Sequence, residues 1–263
     1  MRCVVVKLGG HALDSLAPSS AVLVDLARDV AELRDGGVNV VVVHGGGPQI
    51  AELLLRVGME STFRDGLRVT DAESMPYVMM ALSDVNVRIV AALNDAGLAS
   101  VGLCGADASL LRAEPIGEWP ERVGYAPMVN RSVIDALWSA GLTPVVSPIA
   151  LDKSSEPLNC NADAVAGALA GELGAGVLVL LSDIDQLRAD VEDPTTAMST
   201  VTRAEIEAMK LTGAIRDGMN PKLTAALDAL DAGSKKILLA NGTRSHALRD
   251  ALARCVPTTE VVW

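Results

Sequence analysis

The stretch Val38-Asn39-Val40-Val41-Val42-Val43-His44-Gly45-Gly46-Gly47-Pro48 carries the information that decides how this chain folds. Residues 38–43 are almost wholly β-branched, which is typical of a strand that is covered on both faces. Three glycines follow, and Pro48 stands where the first turn of a helix can begin. The residues after it carry an apolar stripe at helical spacing, namely Ile50, Leu53, Leu54 and Val57. The stretch therefore predicts a buried strand, a glycine-rich turn and an amphipathic helix in succession.

The same alternation of apolar runs and helical stripes recurs along the chain. Strands are predicted over residues 3–6, 38–43, 100–103, 143–149, 177–181, 236–240 and 260–262. Helices are predicted over residues 21–33, 71–97, 132–140, 162–173, 217–232 and 244–253, with Asp71 as an N-cap. Strands separated by helices imply right-handed crossovers, so we expect an α/β fold with an open, mostly parallel sheet sandwiched between helices. Ligands of such sheets bind at the carboxyl ends of the strands, where the glycine clusters fall.

Two segments interrupt this alternation. Residues 112–130 are rich in Pro and Gly and indicate a hairpin or flap, and residues 187–200 are polar and indicate an exposed loop. We see no flexible linker, so residues 1–263 are expected to form one domain. Any division into two lobes would lie near Gly174.

Composition excludes several classes of partner. The 263 residues carry a formal charge of −11 with a pI near 4.7, whereas nucleic acids and anionic membranes favour a basic face. No stretch of about 18 uncharged apolar residues is present, so we expect no membrane span. Four scattered cysteines without zinc-type spacing indicate core residues in a reducing compartment, and we expect a cytoplasmic protein.

Two glycine-rich strand ends and two lysines are candidates for holding a phosphoryl group. Gly9-Gly10 and Gly45-Gly46-Gly47 would let backbone N–H groups approach an anion, although either could be a tight turn alone. Neither cluster fits the Walker or the dinucleotide-binding pattern. The chain has sixteen Arg but only six Lys, and Lys7 and Lys222 lie where they could stabilise a transferring phosphoryl group. The competing interpretation is that both lysines are ordinary surface residues.

Polar side chains cluster again at Asn159, Asn161 and Asp163, just before a predicted Ala-rich helix. One of the three would serve as a helix cap in any case, but three exceed what a cap requires. The surplus could orient a substrate, hold the lysines or reach a magnesium ion. Arg68 lies between apolar neighbours, which suggests a buried guanidinium that needs a carboxylate, either from a substrate or from a structural ion pair.

Taken together, these segments resemble the amino acid kinase family over essentially the full chain, and within it the kinases of N-acetyl-L-glutamate. The resemblance rests on Lys7-Leu8-Gly9-Gly10, Val43-His44-Gly45-Gly46-Gly47-Pro48, Gly66-Leu67-Arg68-Val69-Thr70-Asp71, Asn159-Cys160-Asn161-Ala162-Asp163, Leu181-Ser182-Asp183 and Gly218-Met219-Asn220-Pro221-Lys222. It implies a carbamate kinase-like fold and transfer of the ATP γ-phosphate to the side-chain carboxylate of N-acetyl-L-glutamate, a step of arginine biosynthesis. Mg²⁺ would bridge the ATP phosphates, with no metal ligand from the protein.

The resemblance also assigns expected roles to residues of this chain. Lys7 and Lys222 would stabilise the phosphoryl group from either side, and Asp163 would hold both lysines. The acceptor would be bound by Gly46, Gly47, Arg68, Asn159 and Asn161. The nucleotide would lie along Gly9, Gly10, Ser182, Asp183, Ile184, Asp185, Gln186, Leu187, Arg188, Ala214, Ile215 and Arg216. Residues 1–174 would form the lobe for acceptor binding and dimerisation, and residues 175–263 the nucleotide lobe.

Departures from the family pattern leave some points open. Gln186 stands where glycine is usual, which puts the shape of the nucleotide loop in doubt, and His11 stands where asparagine is frequent. The chain begins almost directly on its first strand and lacks a glycine-rich tail, features that resemble the short, arginine-insensitive homodimers. The alternatives are a sister kinase for carrier-bound aminoadipate or glutamate or for a secondary-metabolism acceptor, and a non-catalytic sensor of nucleotide or amino acid.

Overall fold

The computed structural model describes residues 3–13, 16–17, 19–117, 122–190, 192–213, 215 and 219–263. Within them the strands are β1 Cys3–Leu8, β2 Asn39–His44, β3 Phe63–Arg64, β4 Leu67–Arg68, β5 Ser100–Leu103, β6 Leu111–Pro115, β7 Val123–Val129, β8 Thr143–Val146, β9 Ile149–Leu151, β10 Pro157–Cys160, β11 Val177–Ser182, β12 Leu187–Arg188, β13 Ala197–Met198, β14 Thr200–Thr202, β15 Ile237–Asn241 and β16 Thr258–Val262. The α-helices are α1 Ala21–Asp35, α2 Gly47–Arg56, α3 Met75–Asp95, α4 Ser132–Ser139, α5 Ala162–Glu172, α6 Arg203–Thr212, α7 Asn220–Asp231 and α8 Ala247–Ala253.

The central sheet has eight strands in the order β14-β16-β15-β11-β1-β2-β8-β5. All neighbouring pairs are parallel except β15 and β16, which are antiparallel. The four central strands are buried apolar runs, as two-sided coverage by helices requires. This architecture confirms the predicted open, mostly parallel sheet between helices.

A smaller sheet of four strands, β10-β7-β6-β9, closes on itself beside the central sheet. Its β6 and β7 pair antiparallel, which confirms the hairpin predicted within residues 112–130. The strand predicted over residues 143–149 is in fact two strands, because the chain leaves the central sheet after Val146 and enters the small barrel at Ile149. A short hairpin of β3 and β4 stands apart from both sheets.

Three predicted helix starts differ from the structure. Asp71 does not cap α3, which begins at Met75 with Ser74 at its N-cap position. The Asp71 carboxylate instead accepts hydrogen bonds from the backbone N–H and the hydroxyl of Ser74, at 2.7 Å each, and so closes a local turn before the helix. Helix α8 begins at Ala247 rather than at 244, because His246 before it has a left-handed backbone. Helix α7 begins at Asn220, with Met219 at its N-cap position, and residues 217 and 218 of the predicted helix lie outside the described residues.

Helix α3 is the one helix of the described residues that is long and apolar enough to cross a membrane by length and composition. Its apolar character has a simpler explanation, because its buried side chains pack against two core clusters of the protein. Its outer side carries an ion pair between Arg88 and Asp84. The helix is therefore a layer of the fold.

Candidate active site

The site lies at the carboxyl edge of the central sheet, where β15, β11, β1 and β2 end side by side. Parallel pairing places Leu8 beside His44 and Ser182 beside Asn241. Backbone bonds join the turns that follow: Gly45 N donates to Leu8 O at 2.9 Å, and Gly242 N donates to Ser182 O at 2.7 Å. The turn after β2 is thus joined to the end of β1, and the turn after β15 is joined to the end of β11. Main-chain groups therefore line this edge of the sheet without a break.

A buried ion pair stands at the centre of this edge. Lys7 and Asp163 are each only 5% exposed, and Lys7 Nζ lies 2.9 Å from Asp163 Oδ1. The contact pairs the two charges, and Asp163 Oδ1 accepts no well-directed hydrogen bond from the described residues. A buried carboxylate that is paired by charge but not saturated by hydrogen bonds can hold one ammonium group and still accept a second donor.

Because Gly9 has no side chain, the end of the Lys7 side chain can lie directly against its Cα. A Cβ atom on Gly9 would lie 2.3 Å from Lys7 Nζ and 3.0 Å from Lys7 Cε. The side chain of Lys7 therefore folds back over the turn that follows its own strand. Glycine is needed here for close approach rather than for an unusual backbone angle.

Helices α5 and α7 bring Asp163 and Lys222 to adjoining helix ends. A Cβ on Gly167 would lie 3.0 Å from Ala225 O, and one on Gly171 would lie 2.3 Å from Ala232 Cβ, so the two helices run parallel in close contact. Asp163 lies one turn before Gly167, and Lys222 lies one turn before Ala225. Both residues therefore occupy the first turn of a helix at the same end of the pair, where the helix dipoles favour an anion.

The glycine turn after β2 is shaped by its neighbours. Gly46 has an extended backbone, and a Cβ there would lie 2.9 Å from Leu82 Cδ2 of α3. Gly47 opens α2, and its carbonyl oxygen accepts a hydrogen bond from Arg68 Nη2 at 2.8 Å. The first N–H groups of α2 have no partner within the helix and are available to an anion.

His44 supports the glycine turn after β2 from its buried side. Its side chain is fully buried, its Nδ1 lies 2.7 Å from Gly45 O, and its Nε2 lies 3.0 Å from Asn86 Nδ2. The carbonyl can only accept and the amide nitrogen can only donate, so the imidazole is the neutral form protonated on Nδ1. Burial lowers the pKa of His44 to about 4, partly offset by the Gly45 carbonyl. His44 therefore acts here as a neutral structural bridge.

A cavity of about 150 Å³ adjoins the glycine turn. Its lining comprises Gly45, Gly46, Gly47, Ile50, Phe63, Gly66, Leu67, Arg68, Leu82, Val123, Pro148, Asn159, Cys160, Asn161 and Ala162. All five residues expected to bind the acceptor are among them. Asn159 Nδ2 donates to Thr70 Oγ1 at 3.0 Å, and Asn161 Oδ1 caps α5 by accepting from Asp163 N at 2.8 Å and Ala164 N at 3.2 Å.

Arg68 is the strongest indication of an anionic ligand in this cavity. It is 8% exposed, and burial lowers the pKa of its guanidinium. It donates to Gly47 O and to Ser61 Oγ, and its Cζ lies over the Phe63 ring, 4.7 Å from the ring centroid. Throughout the described part of the chain no carboxylate lies within ion-pair distance of it. Among the described residues Arg68 thus forms no structural ion pair of the kind that the sequence left open, and a ligand carboxylate would satisfy it.

The loop after β11 is held in a defined shape. Asp185 Oδ1 accepts from Asn241 Nδ2 and Arg244 Nε, both at 2.9 Å, and these bonds lower the pKa of Asp185. Gln186 Nε2 donates to Thr258 O at 3.1 Å, and Leu187 N donates to Thr259 Oγ1 at 2.9 Å. Gln186, the residue that departs from the family pattern, thus joins the loop to β16 by a hydrogen bond.

Several other positions of the expected nucleotide site can be placed. Asp183 is exposed, whereas Ile184, Arg188 and Ile215 are half-buried. Ala214 and Arg216 lie outside the described residues. The sequence reasoning missed Asn241 and Arg244, although Asn241 has the same signal as the other site residues, a polar side chain at the end of a buried apolar run. It also missed Phe63, whose partner Arg68 lies across a hairpin turn and gives no sign of the contact in the sequence.

Comparison with known proteins shows the family of this chain. Residues 2–241 match the model of the amino acid kinase family, and the chain belongs to that family. It is similar to acetylglutamate kinase from Deinococcus radiodurans, with 44% identity over 258 residues that cover 98% of this chain and 99% of the relative. Acetylglutamate kinase from Symbiobacterium thermophilum is 39% identical over 94% of this chain and 86% of the relative.

A solved structure extends the likeness to the fold. Carbamate kinase from Giardia lamblia, bound to AMP-PNP, superimposes with a TM-score of 0.69 over 99% of this chain and 98% of that one. The sequence identity is only 17%, so this likeness concerns the fold alone. It agrees with the carbamate kinase-like architecture expected from the sequence.

Proposed function

We propose that this protein transfers the γ-phosphoryl group of ATP to the side-chain carboxylate of N-acetyl-L-glutamate, giving N-acetyl-L-glutamyl 5-phosphate for arginine biosynthesis. The observation that carries the proposal is a buried arginine, with no carboxylate of the described residues paired to it, in a cavity next to a buried Lys7–Asp163 pair and a glycine turn. Relatives that are 35–44% identical over nearly the whole chain and are named acetylglutamate kinases support the choice of acceptor.

The acceptor would be held by its α-carboxylate. In this arrangement Arg68 binds that group, with Asn159 beside it, and the backbone N–H groups of Gly46 and Gly47 bind the reacting end. Asn161 orders the start of α5 below them. The cavity has mostly apolar walls, which suit the methylene groups and the acyl group of an N-acylated amino acid.

The chemical step needs no general base, because the acceptor is already a carboxylate. One oxygen of that carboxylate forms a bond to the γ-phosphorus, the bond to the bridging oxygen breaks, and ADP leaves with the electron pair. Lys7 and Lys222 would neutralise the charge that develops on the transferring oxygens, and Asp163 would hold the ammonium groups in position. Catalysis would then rest on positioning and charge stabilisation.

ATP would lie along the turn of Gly9 and Gly10 and the loop of residues 182–188, with residues 214–216 beside it. Mg²⁺ enters with the ATP phosphates as part of that substrate.

The experiment is a panel of acceptors with ATP and Mg²⁺, in which ADP release is measured and the acyl phosphate is trapped with hydroxylamine. The panel contains free N-acetyl-L-glutamate, N-acetyl-L-aminoadipate, glutamate and a carrier-bound glutamate. The largest turnover is expected with N-acetyl-L-glutamate. Turnover only with another acceptor would identify a sister kinase, and nucleotide binding without turnover on any acceptor would identify a sensor.

We further propose that the protein acts as a homodimer in the cytoplasm. The support for the homodimer is a surface of α3 that exposes Met79, Met80 and Val87. This surface lies next to β5, at the open edge of the central sheet. A Val87→Arg variant should lower the molar mass in light scattering to that of a monomer. Leu55→Arg on α2 is the matched control, because Leu55 is also exposed and apolar but lies on another helix. A monomeric wild-type protein would reject this proposal.

A further inference from the structure

The hairpin of β3 and β4 places an aromatic ring directly on the buried arginine of the acceptor cavity. Asp65 and Gly66 form its turn, with φ of 52° and 76°, the left-handed values of a tight two-residue hairpin turn. In this register Phe63 and Arg68 are directly opposite each other. Such cross-strand neighbours lie on the same face of a hairpin and interact through their side chains.

Arg68 is held from three directions. Its Nη2 donates to Gly47 O and its Nη1 donates to Ser61 Oγ, and hydrogen bonds of a guanidinium lie in the plane of the group. Arg68 Cζ also lies over the face of the Phe63 ring, 4.7 Å from the ring centroid. The two hydrogen bonds and the ring contact together restrict the positions that the guanidinium can take. The hydrogen bonds use two of the five N–H groups of Arg68, and within the described ranges the other three have no protein acceptor and can serve a ligand.

The fold gives no other reason for Phe63 to be aromatic. Its side chain is 60% exposed and belongs to none of the three buried core clusters, yet it lines the acceptor cavity. It is also the single phenylalanine of the chain. An exposed aromatic ring that contacts a buried guanidinium, itself without a carboxylate partner in the described part of the chain, is better explained by ligand binding than by stability.

We propose that Phe63 is a positioning and specificity-determining residue, which acts through Arg68 to favour acceptors that carry a free α-carboxylate. This inference rests on the proposed function and deepens it. Bidentate recognition of a carboxylate requires the guanidinium plane to be aligned with the ligand, and a residue that fixes the plane in advance lowers the entropy lost on binding. Because Phe63 acts on the acceptor in the ground state and the transition state alike, its loss weakens acceptor binding without slowing the chemical step.

The test compares Phe63→Leu, which removes the ring, with Phe63→Tyr, which keeps it. Phe63→Leu should raise KM for the acceptor about three- to tenfold, as expected for a partly exposed cation–π contact, while kcat and KM for ATP change less than about twofold. Phe63→Tyr should retain the wild-type KM. Leu55→Ala, which removes another exposed apolar side chain outside the cavity, is the control and should change neither constant.

A double-mutant cycle shows whether the effect passes through Arg68. In an Arg68→Ala background the additional Phe63→Leu substitution should no longer change kcat/KM for the acceptor. Discrimination gives a second readout: the ratio of kcat/KM for the free acid to that for the α-carboxamide of the same acceptor should fall in Phe63→Leu by the same three- to tenfold.

The two proposals fail in different ways. If the wild-type protein does not phosphorylate N-acetyl-L-glutamate, the proposed function fails, and the Phe63 variants are compared on whichever acceptor of the panel is phosphorylated. If Phe63→Leu matches the wild type, if Phe63→Tyr is impaired equally, or if the effect persists without Arg68, the role given to Phe63 is wrong.

Discussion

Replacing Gly9 with alanine is expected to disable the site without disturbing the fold. A Cβ on Gly9 would lie 2.3 Å from Lys7 Nζ, whereas ordinary contacts of this kind begin at 3.4 Å. The atoms that the new Cβ would meet all belong to the flexible Lys7 side chain, so the end of that side chain gives way. The ammonium group therefore has to move by at least about 1 Å from its position beside Asp163.

The size of the effect follows from that displacement. Misplacing a catalytic group by about 1 Å, like removing one electrostatic donor to a developing charge, typically costs on the order of 10²-fold in rate. We expect kcat/KM of Gly9→Ala to fall by about that factor. The midpoint of thermal unfolding should change little, because Gly9 has no positive φ that an alanine would strain.

The assay measures ADP release with N-acetyl-L-glutamate, together with thermal unfolding by circular dichroism. Gly36→Ala is the matched control, because Gly36 also has a negative φ of −77° and ends α1 at the opposite edge of the sheet. Its Cβ would lie 3.3 Å from a backbone oxygen, a contact that a small shift relieves. If Gly9→Ala retains turnover within about threefold of the wild type, the observed position of the Lys7 ammonium is not the one that catalysis uses.

Three other substitutions test the remaining parts of the site. Lys222→Ala should lower kcat by about 10²-fold or more with unchanged unfolding, since one donor to the transferring phosphoryl group is lost, and unchanged turnover would contradict that role. Asn161→Ala should lower the free energy of unfolding in urea by about 1 kcal/mol, because two N–H groups of α5 lose their cap, and no loss would mean that water replaces it. His44 is neutral when folded, with a pKa of about 4 against 6.5 for the free side chain, so the unfolded chain binds more protons between these values. The free energy of unfolding should therefore fall as the pH drops from about 6.5 to about 4, by up to ~3 kcal/mol from this residue. His44→Gln should remove that part of the pH dependence in urea titrations, and identical pH profiles would contradict the buried neutral state.

Local patterns of the sequence were sufficient for the architecture and for the edge at which the site lies. The valine run of β2 could only be buried between two layers, because no polar face alternates with it. Its three glycines and Pro48 then set the turn and the start of α2. Such patterns can be recognised in the sequence, because the periodicity of a strand or helix is a property of neighbouring residues in the chain.

The partners of the site residues were decided by tertiary structure. Lys7 and Asp163 are 156 positions apart, and nothing in either segment states that β1 and the first turn of α5 meet. The contacts of Arg68 also depended on which segments pack around it. In the structure a glycine carbonyl accepts a hydrogen bond from its guanidinium, and the phenylalanine of the β3–β4 hairpin places its ring against that group. Burial and pairing at long range depend on how crossovers bring distant segments together, which local propensity does not encode. The sequence by itself thus determined the elements and the chemical types available at their ends, and the packing of those elements determined which charge faces which.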